Sequence, residues 1–240
     1  MLEIKNLSVN VEDTNIIDKI SLDFQLGKNY ALLGKNGSGK SSLFFSIMGH
    51  PSYSIEWWEI LINWKSIKNM KVEERSRMGI FLAFQNIPEI PGVKMFDFLR
   101  NIYNASLPEG SEPVRFIPFK KIIQPFLDDL GLEKKFLFRD LNVGFSGGEK
   151  RKMEILQLKL LEPKYIFLDE VDSGLDINSL RMLGKMLKEI DSKNNSFIIT
   201  SHYFEIYDYL NIEQVYVLEK WKLKTKWWQD IISEIKKDWF

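Results

Sequence analysis

The sequence predicts an α/β fold, with a parallel or mixed sheet covered by helices, and three observations support this. Short apolar runs that suit buried strands alternate with longer segments of helical composition, as in parallel strands joined by helices. A glycine-rich turn begins at Gly34, directly after one such run and before a helical segment. In the first third of the chain, strand-like segments follow one another directly, which is typical of an antiparallel sheet.

Periodicity assigns most of the chain to definite elements. Residues 86–145 differ because prolines interrupt segments of helical spacing, so we expect a helical subdomain inserted in one domain of 240 residues, with its core in residues 1–85 and 146–240. The predicted strands are Leu2–Val11, Ile20–Phe24, Asn29–Leu33, Glu59–Asn63, Lys65–Ile67, Ile80–Phe84, Tyr165–Asp169 and Ser196–Thr200, with a hairpin over Val215–Thr225. The predicted helices are Lys40–Gly49, Lys94–Tyr103, Phe119–Leu130, Ser146–Leu161, Ile177–Ile190 and Asp230–Lys237.

Composition limits the function classes. Hydrophobic residues make up 45% and charged residues 28%, which is the balance of a soluble globular chain. Basic and acidic residues both number 33, so no global charge indicates a nucleic-acid or anionic-membrane partner. The absence of cysteine excludes a disulfide framework and a thiolate-held metal. No apolar run is long enough to span a membrane, and the N-terminus resembles a strand rather than a leader, so we expect a cytoplasmic protein without membrane insertion.

The first chemical motif is a phosphate-binding loop of the pattern G-x-x-x-x-G-K-[ST]. Its glycines let backbone N–H groups turn toward phosphate oxygens, and the next helix adds positive potential at its N-terminus. Lys40 is expected to reach the β- and γ-phosphates, and the Ser41 hydroxyl to ligate Mg²⁺. A flexible glycine-rich loop is the alternative, which the strand-to-helix context disfavours. The predicted ATP-binding residues here are Gly34, Lys35, Asn36, Gly37, Ser38, Gly39, Lys40, Ser41 and Ser42.

The second motif is the apolar run Tyr165–Leu168 followed by Asp169 and Glu170. Its two carboxylates emerge at the carboxyl end of a buried strand, where ligands bind in open α/β sheets. Asp169 suits the Mg²⁺ shell, and Glu170 suits a general base or orienter of the attacking water. An apolar run that ends in Asp-Glu is common by itself, and its position after a phosphate loop favours the functional interpretation.

A third motif narrows the family. Phe145–Glu149 opens a predicted helix and resembles the signature motif of ABC ATPases, which usually has Leu first and Gln last. The phosphate loop, Gln85, this signature, the Ser173–Asp176 loop and His202 occur in the order of an ABC nucleotide-binding domain. The resemblance implies the fold of that domain: a P-loop core with a mixed sheet, an N-terminal antiparallel β subdomain and an inserted helical subdomain.

The resemblance also implies roles for single residues. Gln85 would touch Mg²⁺ or the lytic water, and His202 would contact the γ-phosphate and help to hold Glu170. Asp176 would line the interface between two subunits. The helix tip would bind the γ-phosphate held by a second copy, in a head-to-tail ATP-sandwich dimer, through the signature residues Ser146, Gly147, Gly148 and Glu149.

Adenine recognition departs from the family pattern. Many ABC ATPases stack the base on an aromatic residue just after the first strand, whereas Val11 occupies that position here. The base is therefore expected to meet a weak apolar surface, shared with Ile16 or Ile17. Selectivity for ATP over GTP does not follow from these residues.

Several segments resemble SufC, the ATPase of the Suf iron–sulfur cluster assembly system. This resemblance implies SufB and SufD scaffold proteins as partners, ATP and Mg²⁺ as cofactors, and closure of two copies as the step that remodels the scaffold. The alternatives are an ATPase subunit of a membrane transporter and an ABC protein that acts on ribosomes or DNA. The segments that carry the resemblance are Met48–Tyr53, Gly79–Val93, Phe145–Lys150, Leu161–Lys164, Asp172–Ile177 and His202–Tyr203.

An apolar run follows Gln85 directly and is the predicted scaffold-docking surface. Packing of the same residues inside the helical subdomain is the alternative. The run comprises Ile87, Pro88, Ile90, Pro91, Val93 and Phe96.

The seven tryptophans stand where turn chemistry or the family pattern favours glycine. Asn63-Trp64 lies between two strand-like segments, where Asn-Gly would form the favoured two-residue turn with positive φ at both positions. We hypothesise that the source reads UGA as glycine and that the gene was translated with UGA as tryptophan. An aromatic partner surface is the alternative. The other tryptophans are Trp57, Trp58, Trp221, Trp227, Trp228 and Trp239.

Overall fold

The computed structural model describes residues 1–12, 14–56, 59–219 and 222–227. The chain forms two compact units, each built from separate stretches of sequence. The first unit contains Met1–Phe84, Pro163–Ser173 and the described residues from Asp191 onwards. The second contains Gln85–Glu162 and Gly174–Ile190. No helix in the described ranges combines the length and the apolar character that a membrane crossing requires.

The described part of the first unit forms two sheets. An antiparallel sheet has the order β2-β1-β5-β6, with β4 also paired to β1. A mixed sheet has the order β13-β12-β3-β11-β10-β7, in which only the β12–β13 pair is antiparallel. The strands are β1 Leu2–Val11, β2 Thr14–Phe24, β3 Asn29–Leu33, β4 Ser54–Glu56, β5 Glu59–Ile62, β6 Lys65–Ser66, β7 Ile80–Ala83, β10 Tyr165–Asp169, β11 Ser196–Thr200, β12 Ile212–Glu219 and β13 Lys222–Trp227.

Among the described residues, the first unit has two α-helices, α1 Lys40–Met48 and α2 Val72–Arg77. Every residue of β10 and β11 is buried, which explains why these strands are continuous apolar runs rather than alternating ones. The core of this unit combines apolar side chains of both sheets and α1. Its centre is aromatic, because Phe167 meets Phe24 and Phe44 edge to face at centroid distances of 5.8 and 5.0 Å.

The second unit is mainly helical. Its core gathers apolar residues of the amphipathic helices, including Phe96, Leu99, Phe119 and Ile123, which are all buried. A short antiparallel pair, β8 with β9, accompanies the helices. The elements are β8 Ile90–Lys94, α3 Met95–Ser106, α4 Phe116–Asp129, a 3-10 helix at Lys134–Phe138, β9 Asp140–Leu141, α5 Gly147–Leu161 and α6 Ile177–Ile190.

The sequence prediction missed the elements that long-range contacts stabilise. Helix α2 is short and polar, and it is held by buried Arg75, whose guanidinium donates to the carbonyls of Ser46 and Ile47 near the end of α1. Strand β8 lies in the segment predicted to be helical. It was missed because its partner strand β9 is distant in sequence: Lys94 pairs with Asp140, 46 residues later. Strand β4 and the 3-10 helix Phe204–Tyr209 were also missed, and the predicted helix Asp230–Lys237 lies outside the described residues.

The turn at Trp64 has the predicted conformation. Ile62 pairs with Lys65, so Asn63 and Trp64 are the two central residues of a hairpin, with φ of 48° and 68°. The Trp64 side chain is 77% exposed, so it gains little from packing while its backbone occupies a left-handed region unfavourable for a bulky residue. Trp227 is the last residue of β13, so the turn predicted at Trp227-Trp228 extends beyond the described residues and stays a prediction. Trp57, Trp58, Trp221, Trp228 and Trp239 lie outside the described residues.

Substitution Trp64→Gly should raise the free energy of unfolding by about 1 kcal/mol, since glycine adopts the left-handed backbone without the Cβ penalty. For a chain of this size, that corresponds to a rise in Tm of about 2–4 °C in a thermal melt. Trp64→Ala is the matched control, because it removes the ring but keeps a Cβ, and it should not raise Tm. Equal stabilisation by both variants would contradict the strain argument.

Candidate functional site

Three loops of the first unit meet at one edge of the mixed sheet. The phosphate loop leaves the carboxyl end of β3, Asp169 and Glu170 stand at the carboxyl end of β10, and His202 follows β11. Strand β11 pairs in parallel with both β3 and β10, so the three ends point the same way and lie side by side. This edge is where open α/β sheets bind ligands.

The backbone of the phosphate loop lies so close to neighbouring atoms that Gly34 has no room for a side chain. A Cβ at Gly34 would lie 2.5 Å from the Leu218 carbonyl oxygen and 2.6 Å from Ser38 Oγ, so only glycine fits. Gly39, with φ of 101°, forms the N-cap of α1, and no described side chain caps this helix. The first N–H groups of α1 are therefore free to meet an anion.

Lys40 lies within the loop. Its ammonium donates to the carbonyl oxygens of Gly34 at 2.8 Å and Lys35 at 3.3 Å, and its side chain is buried. Burial lowers the pKa of Lys40, while Glu170 and Asp169 oppose that effect. Ser38 Oγ is buried without a hydrogen-bond partner among the described residues. The phosphate groups of a nucleotide could accept hydrogen bonds from all three of these groups: the Ser38 hydroxyl, the N-terminus of α1 and the Lys40 ammonium.

Asp169 and Ser41 supply oxygen ligands of the kind that Mg²⁺ prefers. Thr200 Oγ1 donates to Asp169 Oδ1 at 2.9 Å. Burial raises the pKa of Asp169, and hydrogen bonds from Ser41 and Thr200 counteract it. The described residues contain no group of three or more His, Asp or Glu that could hold a metal. Mg²⁺ usually keeps several waters and phosphate oxygens as ligands and is bound by one or two protein carboxylates.

Glu170 and His202 form a pair at the same edge. His202 Nε2 lies 3.1 Å from Glu170 Oε1, and the His202 side chain is 46% exposed. Glu170 has φ of 46°, and its N–H donates to Thr200 Oγ1 at 2.9 Å. A positive φ is uncommon in a residue other than glycine, and such outliers often mark functional residues. The predicted pairing of these two residues is therefore present in the geometry.

The residues predicted to meet adenine divide into two groups. Val11 ends β1 and is partly exposed, and Ile16 lies near the loop, since a Cβ at Gly39 would come 3.3 Å from Ile16 Cγ2. Ile17 is fully buried and belongs to the core of the first unit, so it presents no surface to a base. The suggestion that Ile17 shares the base contact was wrong.

The signature residues lie in the second unit, at the N-terminus of α5. Ser146 is the N-cap: its Oγ accepts from the Glu149 N–H at 3.3 Å, and its own N–H donates to Glu149 Oε2 at 2.7 Å. This capping box satisfies two terminal groups. The hydrogen bond from Ser146 holds the pKa of Glu149 below its usual range. A Cβ at Gly147 or Gly148 would approach no atom closer than 3.9 Å, so these residues leave the tip open.

Gln85 and Asp176 also belong to the second unit. The Gln85 carbonyl accepts from the Arg151 guanidinium at 3.0 Å, and Arg151 forms a buried ion pair with Glu154. Asp176 caps α6, because its Oδ1 accepts from the N–H groups of Asn178 and Ser179, both at 2.9 Å. These hydrogen bonds give Asp176 a helix-capping function that the sequence analysis did not assign.

Three polar residues beside the predicted site were missed. Thr200 bonds both Asp169 and Glu170, while Ser201 and Asp172 bond each other at 2.6 Å. The sequence alone could not assign them to the site, since a single polar residue at the end of a strand can have many different roles. Only the register of β10 with β11, in which Asp169 pairs with Thr200, brings them together.

Comparisons with known proteins agree with this geometry. A family model described as ABC transporter matches residues 17–173. "Probable ATP-dependent transporter ycf16" of Antithamnion sp. is 42% identical over 221 residues, covering 92% of this chain and 88% of the relative. "Probable ATP-dependent transporter slr0075" of Synechocystis is 39% identical, covering 98% and 92%. "Vegetative protein 296" of Bacillus subtilis is 39% identical, covering 90% and 83%.

Solved structures agree in fold. The ATP-binding subunit of an ABC transporter superposes with a TM-score of 0.79 at 23% identity, covering 98% of this chain and 93% of that one. The ADP conformation of another cassette gives 0.77 at 21% identity, covering 99% and 95%. A dimeric bacterial ABC transporter cassette gives 0.77 at 18% identity, covering 95% and 98%. The predicted fold class is therefore confirmed.

Substitution Lys40→Ala should weaken ATP binding at least about tenfold, since it removes a charge-assisted contact to the phosphates. A fluorescent ATP analogue titrated in the presence of Mg²⁺ measures the effect. Lys193→Ala is the control, because Lys193 is an exposed lysine of the same unit that lies outside the phosphate loop. Equal losses in the two variants, or none in Lys40→Ala, would contradict the assignment.

Proposed function

Because the chain belongs to the ABC transporter family of ATP-binding domains and is an ATPase, we propose that two copies close on Mg-ATP and thereby drive a conformational change in a SufB/SufD-type scaffold during iron–sulfur cluster assembly. One observation supports the scaffold part of this proposal. The segment after Gln85 has exposed apolar side chains, and hydrogen bonds to Asp140 hold its backbone in place. The resemblance of residues 79–93 to SufC supports the choice of partner.

Hydrolysis follows from the residues at the sheet edge. Glu170 orients and deprotonates the attacking water, and His202 holds the Glu170 carboxylate at 3.1 Å and contacts the γ-phosphate. Lys40 exchanges its contacts with loop carbonyls for the β- and γ-phosphates. Ser41, Asp169 and Gln85 would hold Mg²⁺, which neutralises charge on the phosphates when bound.

The second copy supplies the signature tip. Ser146, Gly147 and Gly148 stand at the N-terminus of α5, a helix of 15 residues, and such a terminus stabilises an anion through its N–H groups and dipole. The Glu149 side chain is part of the capping box that keeps Ser146 in place. One phosphate loop and one signature tip then complete each of two sites, and Asp176 lies at the interface.

The docking surface combines exposed apolar groups with a fixed backbone. Ile90 and Val93 are 40% and 38% exposed on β8. Gly92 N–H donates to Asp140 Oδ2 at 3.0 Å, and the Lys94 ammonium donates to Asp140 Oδ1 at 2.7 Å. A fixed apolar surface loses little conformational entropy on binding, which favours its use as an interface.

Two residues of the predicted docking run behave differently from the rest. Phe96 is buried and packs against Phe116 and Phe119, at centroid distances of 4.4 and 5.3 Å. It therefore belongs to the core of the second unit, and its inclusion in the docking surface was wrong. Ile87 is partly buried, so we restrict the surface to Pro88, Ile90, Pro91 and Val93.

A transporter subunit is the second candidate, since several relatives carry the name "probable ATP-dependent transporter". It would use the same nucleotide site and differ in its partner. Affinity purification of the native protein separates the two. Recovery of SufB- and SufD-type scaffolds supports the proposal, whereas recovery of integral membrane permeases contradicts it.

Substitution Glu170→Gln should lower kcat at least about 100-fold, since it removes the general base. It should also trap the ATP-bound dimer, so that light scattering with Mg-ATP reports twice the 28.3 kDa of one chain. Glu205→Gln is the control, because it removes an exposed carboxylate from the same unit. Undiminished turnover of Glu170→Gln would contradict the assigned base.

Substitution Ile90→Asp should abolish capture of the SufB/SufD-type scaffold while ATP binding stays unchanged, since it places a charge in an apolar interface. Ile117→Asp is the matched control: Ile117 is 71% exposed on α4 of the same unit, outside the proposed surface. Pull-down with the purified scaffold measures capture. A complex that still forms with Ile90→Asp would contradict the docking surface, though not the ATPase activity.

A further inference from the structure

A buried carboxylate lies beside the site without belonging to any nucleotide motif. Asp172 follows Glu170 by two residues and is 1% exposed. Its Oδ1 is buried with no hydrogen-bond partner in the described part of the chain. Burying an unsatisfied carboxylate oxygen is costly, so its retention calls for a compensating role.

The other oxygen of Asp172 joins the loop on both sides of His202. Asp172 Oδ2 accepts from Ser201 Oγ at 2.6 Å and from the Tyr203 N–H at 3.3 Å. The Tyr203 N–H also donates to Ser201 Oγ at 2.9 Å, which closes a small network. One carboxylate thereby binds a side-chain hydroxyl just before His202 and a backbone N–H just after it.

Tyr207 closes the network from the other side. It is buried, and its hydroxyl donates to the Ser201 carbonyl at 3.5 Å, a long contact. Burial and the nearby Asp172 carboxylate raise the pKa of Tyr207, so its hydroxyl keeps its proton. The loop from Ser201 to Tyr203 is thus held between a buried acceptor and a buried donor.

The His202 ring itself has little packing to hold it. Nearly half of its side chain is exposed, and its contact with Glu170 spans 3.1 Å. Its position is therefore set mainly by the backbone that carries it, and Asp172 fixes that backbone.

We propose that Asp172 is a positioning residue for hydrolysis, which acts by holding the Ser201–Tyr203 loop so that His202 meets Glu170. This inference rests on the proposed roles of His202 and Glu170. It assigns to Asp172 no contact with nucleotide. Its effect should therefore appear in kcat and be absent from nucleotide affinity.

The test is a double-mutant cycle on the full-length protein, with Mg-ATP turnover as the readout. Asp172→Leu should lower kcat about tenfold or more, since displacing a catalytic group by about 1 Å has effects of that size or larger. KM should stay within twofold. In a His202→Ala background the same substitution should change kcat by less than twofold, because the group that Asp172 positions is already absent.

Two further variants guard against a folding defect. Asp172→Asn keeps an acceptor oxygen for Ser201 and Tyr203, so it should retain kcat within about threefold of the wild type. Ser201→Ala removes the 2.6 Å hydrogen bond without adding bulk to the core and should reproduce the kcat loss and its dependence on His202. If Asp172→Leu does not fold, the Ser201→Ala cycle decides in its place.

Three outcomes would overturn the inference. Equal kcat losses in the wild-type and His202→Ala backgrounds would show a role independent of His202. A rise in KM with unchanged kcat would point to nucleotide binding instead. Full activity of His202→Ala would remove the proposed role of His202 itself, and a loss in Asp172→Leu would then need another cause.

Discussion

The parallel pairing of β3, β11 and β10 is the constraint on which the site depends. Parallel strands point their carboxyl ends to the same edge, so the phosphate loop, the Asp169–Glu170 turn and the His202 loop emerge side by side. Burial on both faces fixes the register of β10 and β11. A shift of one residue would move apolar side chains away from the layers that bury them, and would separate Thr200 from Asp169.

The motif-based part of the site could be predicted from the sequence because its signals are local. Residues 34–41 carry the spacing, the glycines and the strand-to-helix context within one short stretch, and the strand Tyr165–Asp169 has the bounds that its apolar run predicts. The capping box at Ser146 is readable in the same way, from two residues three positions apart. Such features need no knowledge of how distant segments pair.

The remaining features depend on contacts far apart in the sequence. The buried clamp of Asp172 and Ser201 joins residues 29 positions apart, and Arg75 stabilises α2 through carbonyls 28 and 29 positions earlier. Strand β8 reads as a proline-interrupted helical segment until Asp140 is placed beside it. Burial distinguishes apolar residues that the sequence alone treats as equivalent. Phe96 is buried while Ile90 and Val93 are exposed, and Ile17 is more deeply buried than Ile16.

The carboxylate at the tip of α5 has a consequence for small anions. In a single subunit Glu149 already neutralises part of the positive end of that helix, through its bond to the Ser146 N–H. Free phosphate or chloride would gain little by competing with this built-in negative charge. A triphosphate held by another copy meets the same charge, but it loses less entropy on binding because that copy already fixes its position. The N-terminus of α5 would therefore bind free anions weakly and bind more strongly a nucleotide that a second chain holds.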